Sequence, residues 1–169
     1  MAASGCSPTL DWREVAVPET PLLAQLPCRP GRFERWVTVA GLPLRMTMLS
    51  CEAGGVTYGV ASADVGDPAR VEAVLAGLAD SARRALAGAH GAFSGFELRG
   101  ATPFRGNAHG RLAGARPDGV AVEESVRLFA RGTTVYEASA IGPALAPPAL
   151  TPFEDGLRFD LDKPDSGPS

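Results

Sequence analysis

Residues 67–88 read DPARVEAVLAGLADSARRALAG, and the stretch 56–63 that precedes them reads VTYGVASA. Between the two, the apolar period switches from 2 to about 3.6. Val56, Tyr58 and Val60 share one face of an extended segment. Val71, Val74, Leu75, Leu78, Ala82 and Leu86 share one stripe of a helix, with Glu72, Asp80, Arg83 and Arg84 mostly away from it. Asp67 stands where an N-cap belongs, Pro68 takes the first helical position, and Gly88 and Gly91 stop the helix. The spacing predicts one long helix over 68–87.

Strand patterns lie on both sides of it. Residues 33–40 (FERWVTVA), 44–51 (LRMTMLSC) and 56–63 form a three-stranded meander turning at Gly41-Leu42 and Gly54-Gly55. After the helix come 93–99 (FSGFELR), 107–116, 120–130 and 133–141 (TTVYEASAI). Pro117-Asp118-Gly119 signals a hairpin and Arg131-Gly132 the next turn. Residues 142–152 (GPALAPPALTP) carry four prolines and cannot be a central strand. Residues 153–161 read as a closing amphipathic element. The order β-β-β-α-β-β-β-β predicts an α+β fold, an antiparallel sheet of about six to seven strands packed on one long helix. Residues 1–30 read as an extended lead-in and tether, 31–161 as a single domain, and 162–169 (DKPDSGPS) as a disordered tail.

The chain has 169 residues, 45% of them apolar and 21% charged, enough for one domain with a substantial core. Its net charge of −3 gives no footprint for a nucleic-acid partner. Lys163 stands alone beside fifteen Arg, as GC-rich coding produces; guanidinium forks suit carboxylate partners. No apolar run reaches the roughly 18–20 residues of a membrane span.

Three cysteines suggest different fates. Ala3-Ser4-Gly5-Cys6 resembles the cleavage end of a bacterial lipoprotein signal peptide, with Ala3 where that motif more often has Leu. The resemblance implies lipidation of Cys6, with Met1 just inside a removed signal. The alternative is an ordinary cytosolic N-terminus with a chance cysteine. Cys28 precedes Pro30-Gly31, a pair suited to a type II turn that folds it back beside the next strand. A hairpin around Gly41-Leu42 sets Cys51 opposite Arg32, near the same place. A Cys28–Cys51 disulfide is the expectation, against two buried thiols that never meet, and it argues for an oxidising compartment. The chain has no CxxC, and its two His are far from the cysteines, so no metal is expected.

The second half resembles the PsbP/Mog1 type of domain, which bacteria also use in periplasmic lipoproteins. The matching features are Phe96-Glu97-Leu98-Arg99-Gly100, the charged hairpin 120–130, Arg131-Gly132-Thr133-Thr134-Val135-Tyr136, Ile141-Gly142-Pro143 and Phe153 with Leu157-Arg158-Phe159. They extend over roughly residues 30–160. The resemblance implies an α/β/α-like sandwich around an antiparallel sheet, with no inherited catalytic residues. It puts a second helix in the Pro-rich 143–156 region, where this sequence fits least well.

Catalytic motifs are missing: Gly91-Ala92-Phe93-Ser94-Gly95 has the wrong spacing for GxSxG, and there is neither a Walker loop nor a GxGxxG opening a helix. No cofactor is expected. One polar constellation stands out. With a two-residue Asp118-Gly119 turn, Ala113 faces Glu124, and Arg111 lies diagonal to it. Glu124 then sits on an apolar face with Val120, Val122, Val126 and Leu128, and needs a partner. The plain reading is an Arg111–Glu124 ion pair. The functional reading is a patch of Arg105, Asn107, His109, Arg111 and Glu124 that binds a ligand or protein. Gly106, Gly110 and Gly114 clear one stretch of a face for a close neighbour, the helix or the N-terminal segment.

The sequence therefore points to a lipid-anchored periplasmic binding or assembly module, not an enzyme. Its membrane contact is the lipid on Cys6, and its partner is a protein of the envelope. Two alternatives stand: a cytosolic protein-binding domain of the Mog1 type, and an enzyme with a polar site near His109 and Glu124.

Overall fold

The computed structural model describes residues 9–165. Ten strands and two helices follow in order, among them β1 (Arg13–Ala16), β2 (Leu22–Leu26), β3 (Gly31–Val39), β4 (Leu42–Ala53) and β5 (Val56–Asp64). A 3-10 turn at Pro68–Arg70 leads into α1 (Val71–Ala85), with the Asp67 carboxylate accepting from the Ala69 N–H at its start. Then come β6 (Ala87–Gly95), β7 (Ala108–Ala115), β8 (Ala121–Arg131), β9 (Thr134–Gly142), α2 (Pro147–Asp155) and β10 (Arg158–Phe159).

The main sheet has seven strands in the order β3-β4-β5-β9-β8-β7-β6, antiparallel throughout. Two meanders are joined where β5 pairs with β9. The fold is α+β, as the alternation of periods indicates, and it has more parts than the sequence reading gave it. Residues 13–26, read as lead-in, hold β1 and β2, which form a second sheet with β10. Val17, Leu22, Ala24 and Leu26 are buried there. The segment 93–99 is not a strand of that extent: β6 starts at Ala87 and ends at Gly95, because the chain turns from α1 into β6 at Leu86.

Each face of the main sheet has its own core. On one, Val74, Leu75, Leu78 and Leu86 of the α1 segment pack on Leu44, Ala63, Val126 and Leu128. Gly106 and Gly114 make that approach possible. A Cβ on Gly106 would lie 2.9 Å from Leu75 Cβ, and one on Gly114 2.9 Å from Leu86 Cβ. On the other face, β2, α2 and β10 cover Tyr58, Val60, Phe129 and Tyr136. Phe129 and Tyr136 stack at 5.2 Å, and Phe159 meets both edge-on.

Two turns differ from expectation and move the register. The β3–β4 turn is Ala40-Gly41, both at positive φ, so Gly31 pairs with Ser50 and Arg32 with Leu49. No Pro-Gly turn forms, because Gly31 is already within β3. Cys51 then falls beside Pro30 rather than Arg32, and Cys28 still reaches it. The two form a disulfide with Cα atoms 6.0 Å apart. The β7–β8 loop is Pro117-Asp118-Gly119, a three-residue loop with Gly119 at positive φ, closed by Arg116 N–H to the Val120 carbonyl. Glu124 therefore pairs with Leu112, not Ala113.

The disulfide ties the β2–β3 link to β4 across 23 residues, which constrains the unfolded chain by about 3 kcal/mol. Replacing Cys28 and Cys51 together by Ser should lower the melting temperature by roughly 6–12 °C in calorimetry, at two to four degrees per kcal/mol for a chain of this size.

Candidate functional site

The shift of one residue in β7–β8 divides the expected polar patch between two faces. His109 pairs with Arg127 and Arg111 with Ser125, so these four point toward α2. Glu124 pairs with Leu112 and points toward α1. The Arg111–Glu124 ion pair does not form. Asn107 is an internal brace: its Nδ2 donates to the Thr102 carbonyl at 2.8 Å, and its Oδ1 accepts from the Ala130 N–H at 3.2 Å. Arg105 lies in the 96–107 loop, where its N–H and that of Gly106 both donate to the Glu72 carboxylate at 2.8 Å. Cys6 lies outside the described residues.

The α2 side gathers a charged network around Glu154, a residue the sequence reading did not single out. Ser125 Oγ donates to Glu154 Oε1 at 2.5 Å, and His109 Nε2 stands 3.5 Å from the same oxygen. Arg111 approaches it at 3.6 Å, and Arg127 approaches Glu154 Oε2 at 3.4 Å. Arg127 also donates to the Glu154 carbonyl at 2.5 Å and lies over the Phe96 ring. Burial pushes His109 below its ordinary value, and Arg127 adds to this against the pull of Glu154.

A serine, a histidine and a glutamate at these distances invite comparison with a catalytic triad, and the geometry argues against one. Ser125 is 1% exposed. It directs its proton to the carboxylate, while Ser125 and Glu154 both meet the same imidazole nitrogen. In a triad the carboxylate orients the other nitrogen and the hydroxyl donates to the base. The network serves instead to pin α2 to β7 and β8. Replacing Glu154 by Ala should cost about 2–4 kcal/mol in urea unfolding, because it leaves Arg127 buried without its counter-charge.

On the α1 side, Glu124 is 9% exposed and its Oε2 has no hydrogen-bond partner. Burial pushes the carboxyl up to about 7, and the charge of Glu137 adds to the rise. Glu137, on the same face of β9, is raised by burial too, with Arg35 opposing. The folded protein thus holds the Glu124 proton to a higher pH than the unfolded chain does. This group favours folding below about 4.5, its ordinary value, and the advantage is lost as pH rises through about 7. Glu124→Gln should therefore stabilise the protein at pH 8, by on the order of 1–3 kcal/mol, and leave it nearly unchanged at pH 4. Thermal melts across that range read the difference.

A third feature is an open groove of about 1040 Å³ along the 96–107 loop. Phe96, Leu98, Ala101 and Phe104 give it apolar walls, and Arg99 and Arg105 stand at its rim with Glu97. Glu72, Thr102 and Asn107 hold the loop in place. Among the described residues no group of three or more His, Cys, Asp or Glu is arranged to hold a metal ion.

No family model matches the chain, and no curated protein matches it.

Proposed function

We propose that the chain is a lipid-anchored protein of the bacterial envelope that binds its ligand or partner without transforming it, a PsbP/Mog1-like sandwich in an oxidising compartment. The observation that carries this reading is the Cys28–Cys51 disulfide. Structural disulfides persist where thiols are not held reduced. The layering supports the family reading as well, with α1 against one face of the sheet and α2 against the other. The pre-formed groove at 95–107, apolar within and arginine-rimmed, offers a surface for recognition. The Ser125–His109–Glu154 cluster is taken up in holding α2, which favours binding over catalysis.

The test is mass spectrometry and thiol alkylation of the full-length product from the cells that make it. A membrane-bound protein with diacylglycerol on Cys6, and with Cys28 and Cys51 unreactive until reduced, is expected. A soluble product with unmodified Cys6 and two reactive thiols would overturn the reading in favour of a cytosolic protein-binding domain.

A further inference from the structure

The main sheet ends on two edge strands, β6 and β3, and they differ. β6 is guarded. Its pairing with β7 is broken by a bulge between Ala87 and His90, and Gly88 and Gly91 stand there at positive φ. β3 has neither device. It runs in unbroken register along β4 for its whole length, Gly31 to Val39, and contains no proline. Phe33 is 55% exposed and Trp36 71%, two of the four exposed large apolar side chains among the described residues.

The turn after β3 fixes which backbone groups face the open edge. Ala40-Gly41 is a two-residue loop with both residues at positive φ, so Val39 and Leu42 form a hydrogen-bonded pair. Counting back by twos, Val37, Arg35, Phe33 and Gly31 turn their N–H and C=O groups toward β4. Arg32, Glu34, Trp36 and Thr38 turn theirs away from it. No described strand lies beyond them. An added strand is what this edge fits.

The side chains narrow the choice of strand. Two identical antiparallel strands related by a twofold axis place one residue opposite itself. With Glu34 at that axis, residues 31–37 all pair. Trp36 then meets Arg32 of the second copy on one face, and Phe33 meets Arg35 of the second copy on the other. Every exposed aromatic of the strand thus faces a guanidinium. The two Glu34 carboxylates are not a bare like-charge pair, because each already accepts from Arg32 at 2.7 Å and from Arg45 at 2.5 Å. The other registers complement less well. Phe33 at the axis shortens the pairing to 31–35 and leaves Trp36 bare. Arg35 at the axis opposes two arginines. Trp36 at the axis sets Arg35 against Val37 and Glu34 against Thr38.

We propose that the chain pairs with a second copy of itself through β3, antiparallel and centred on Glu34, so that two main sheets become one continuous sheet. The pairing is independent of the 95–107 groove and of the compartment in which the protein works.

The experiment is sedimentation equilibrium of the full chain up to about 1 mM, with cysteine cross-linking to read the register. A reversible dimer is expected. Trp36→Lys should weaken it at least tenfold, and because the Trp36 side chain is exposed in the single copy the variant should keep its melting temperature. In a Cys6→Ser background, Phe33→Cys, Glu34→Cys, Arg35→Cys and Trp36→Cys are each oxidised. Glu34→Cys should cross-link fastest, since in the proposed register residue 34 alone meets its own counterpart. A monomer at every concentration would overturn the proposal. So would a dimer that Trp36→Lys leaves unchanged, or fastest cross-linking at 33, 35 or 36.

Discussion

The pairing of β5 with β9 is the contact on which the molecule depends. It joins residues Thr57–Asp64 to Thr134–Ile141 across nearly half of the chain and makes one sheet of two meanders. Tyr58, Val60, Ala138 and Ala140 point to one side of this seam, Ala61, Ala63 and Val135 to the other. Both sides must therefore be covered. The crossover helix covers one and the N-terminal hairpin with α2 the other. Each polar cluster described above lies where such a cover ends or is fastened down.

The two clusters solve the problem of buried charge in opposite ways. Around Glu154 one carboxylate oxygen accepts from Ser125 and the other faces Arg127, and the carboxylate acts as a clamp between helix and sheet. Tyr58 adds a second fastening there, its hydroxyl donating to the Ala149 carbonyl at 2.6 Å. Around Glu124 the donors are lacking, and the cost is avoided by keeping the proton. The first arrangement is closed to further partners.

Much of this was legible in the residues. The alternation of 44–51, 56–63 and 133–141 gave the strands, and the stripe from Val71 to Leu86 gave α1. Of the every-fourth glycines, Gly106 meets Leu75 of that helix and Gly114 meets Leu86 just beyond it, while Gly110 makes room for the Phe93 ring. Where the reading failed, the reason is local. One extra loop residue at Pro117-Asp118-Gly119 reverses which face every side chain of β7 meets across β8. That reversal parted Glu124 from Arg111 and hid the cluster of Ser125 and Arg127. The prolines of residues 142–152 argue only against a central strand, and it is the resemblance, not the residue pattern, that puts a second helix at 143–156. Pro147 and Pro148, however, occupy the first turn of α2, where no donor is needed. With no helical pattern to read there, nothing in the residues singles out Glu154. Strands β1 and β2 are too short to show a period by sequence alone, and β2 lies between β1 and β10, partners far apart in the chain.

The bridge between Cys28 and Cys51 spans 23 residues, and strands β3, β4 and β5 need only tight two-residue turns to find one another. Closing so short a loop needs nothing from the C-terminal half of the chain. The seam does need β9, so the cross-link holds a local meander whose Tyr58 and Val60 are covered only when the N-terminal hairpin and the C-terminal elements are in place.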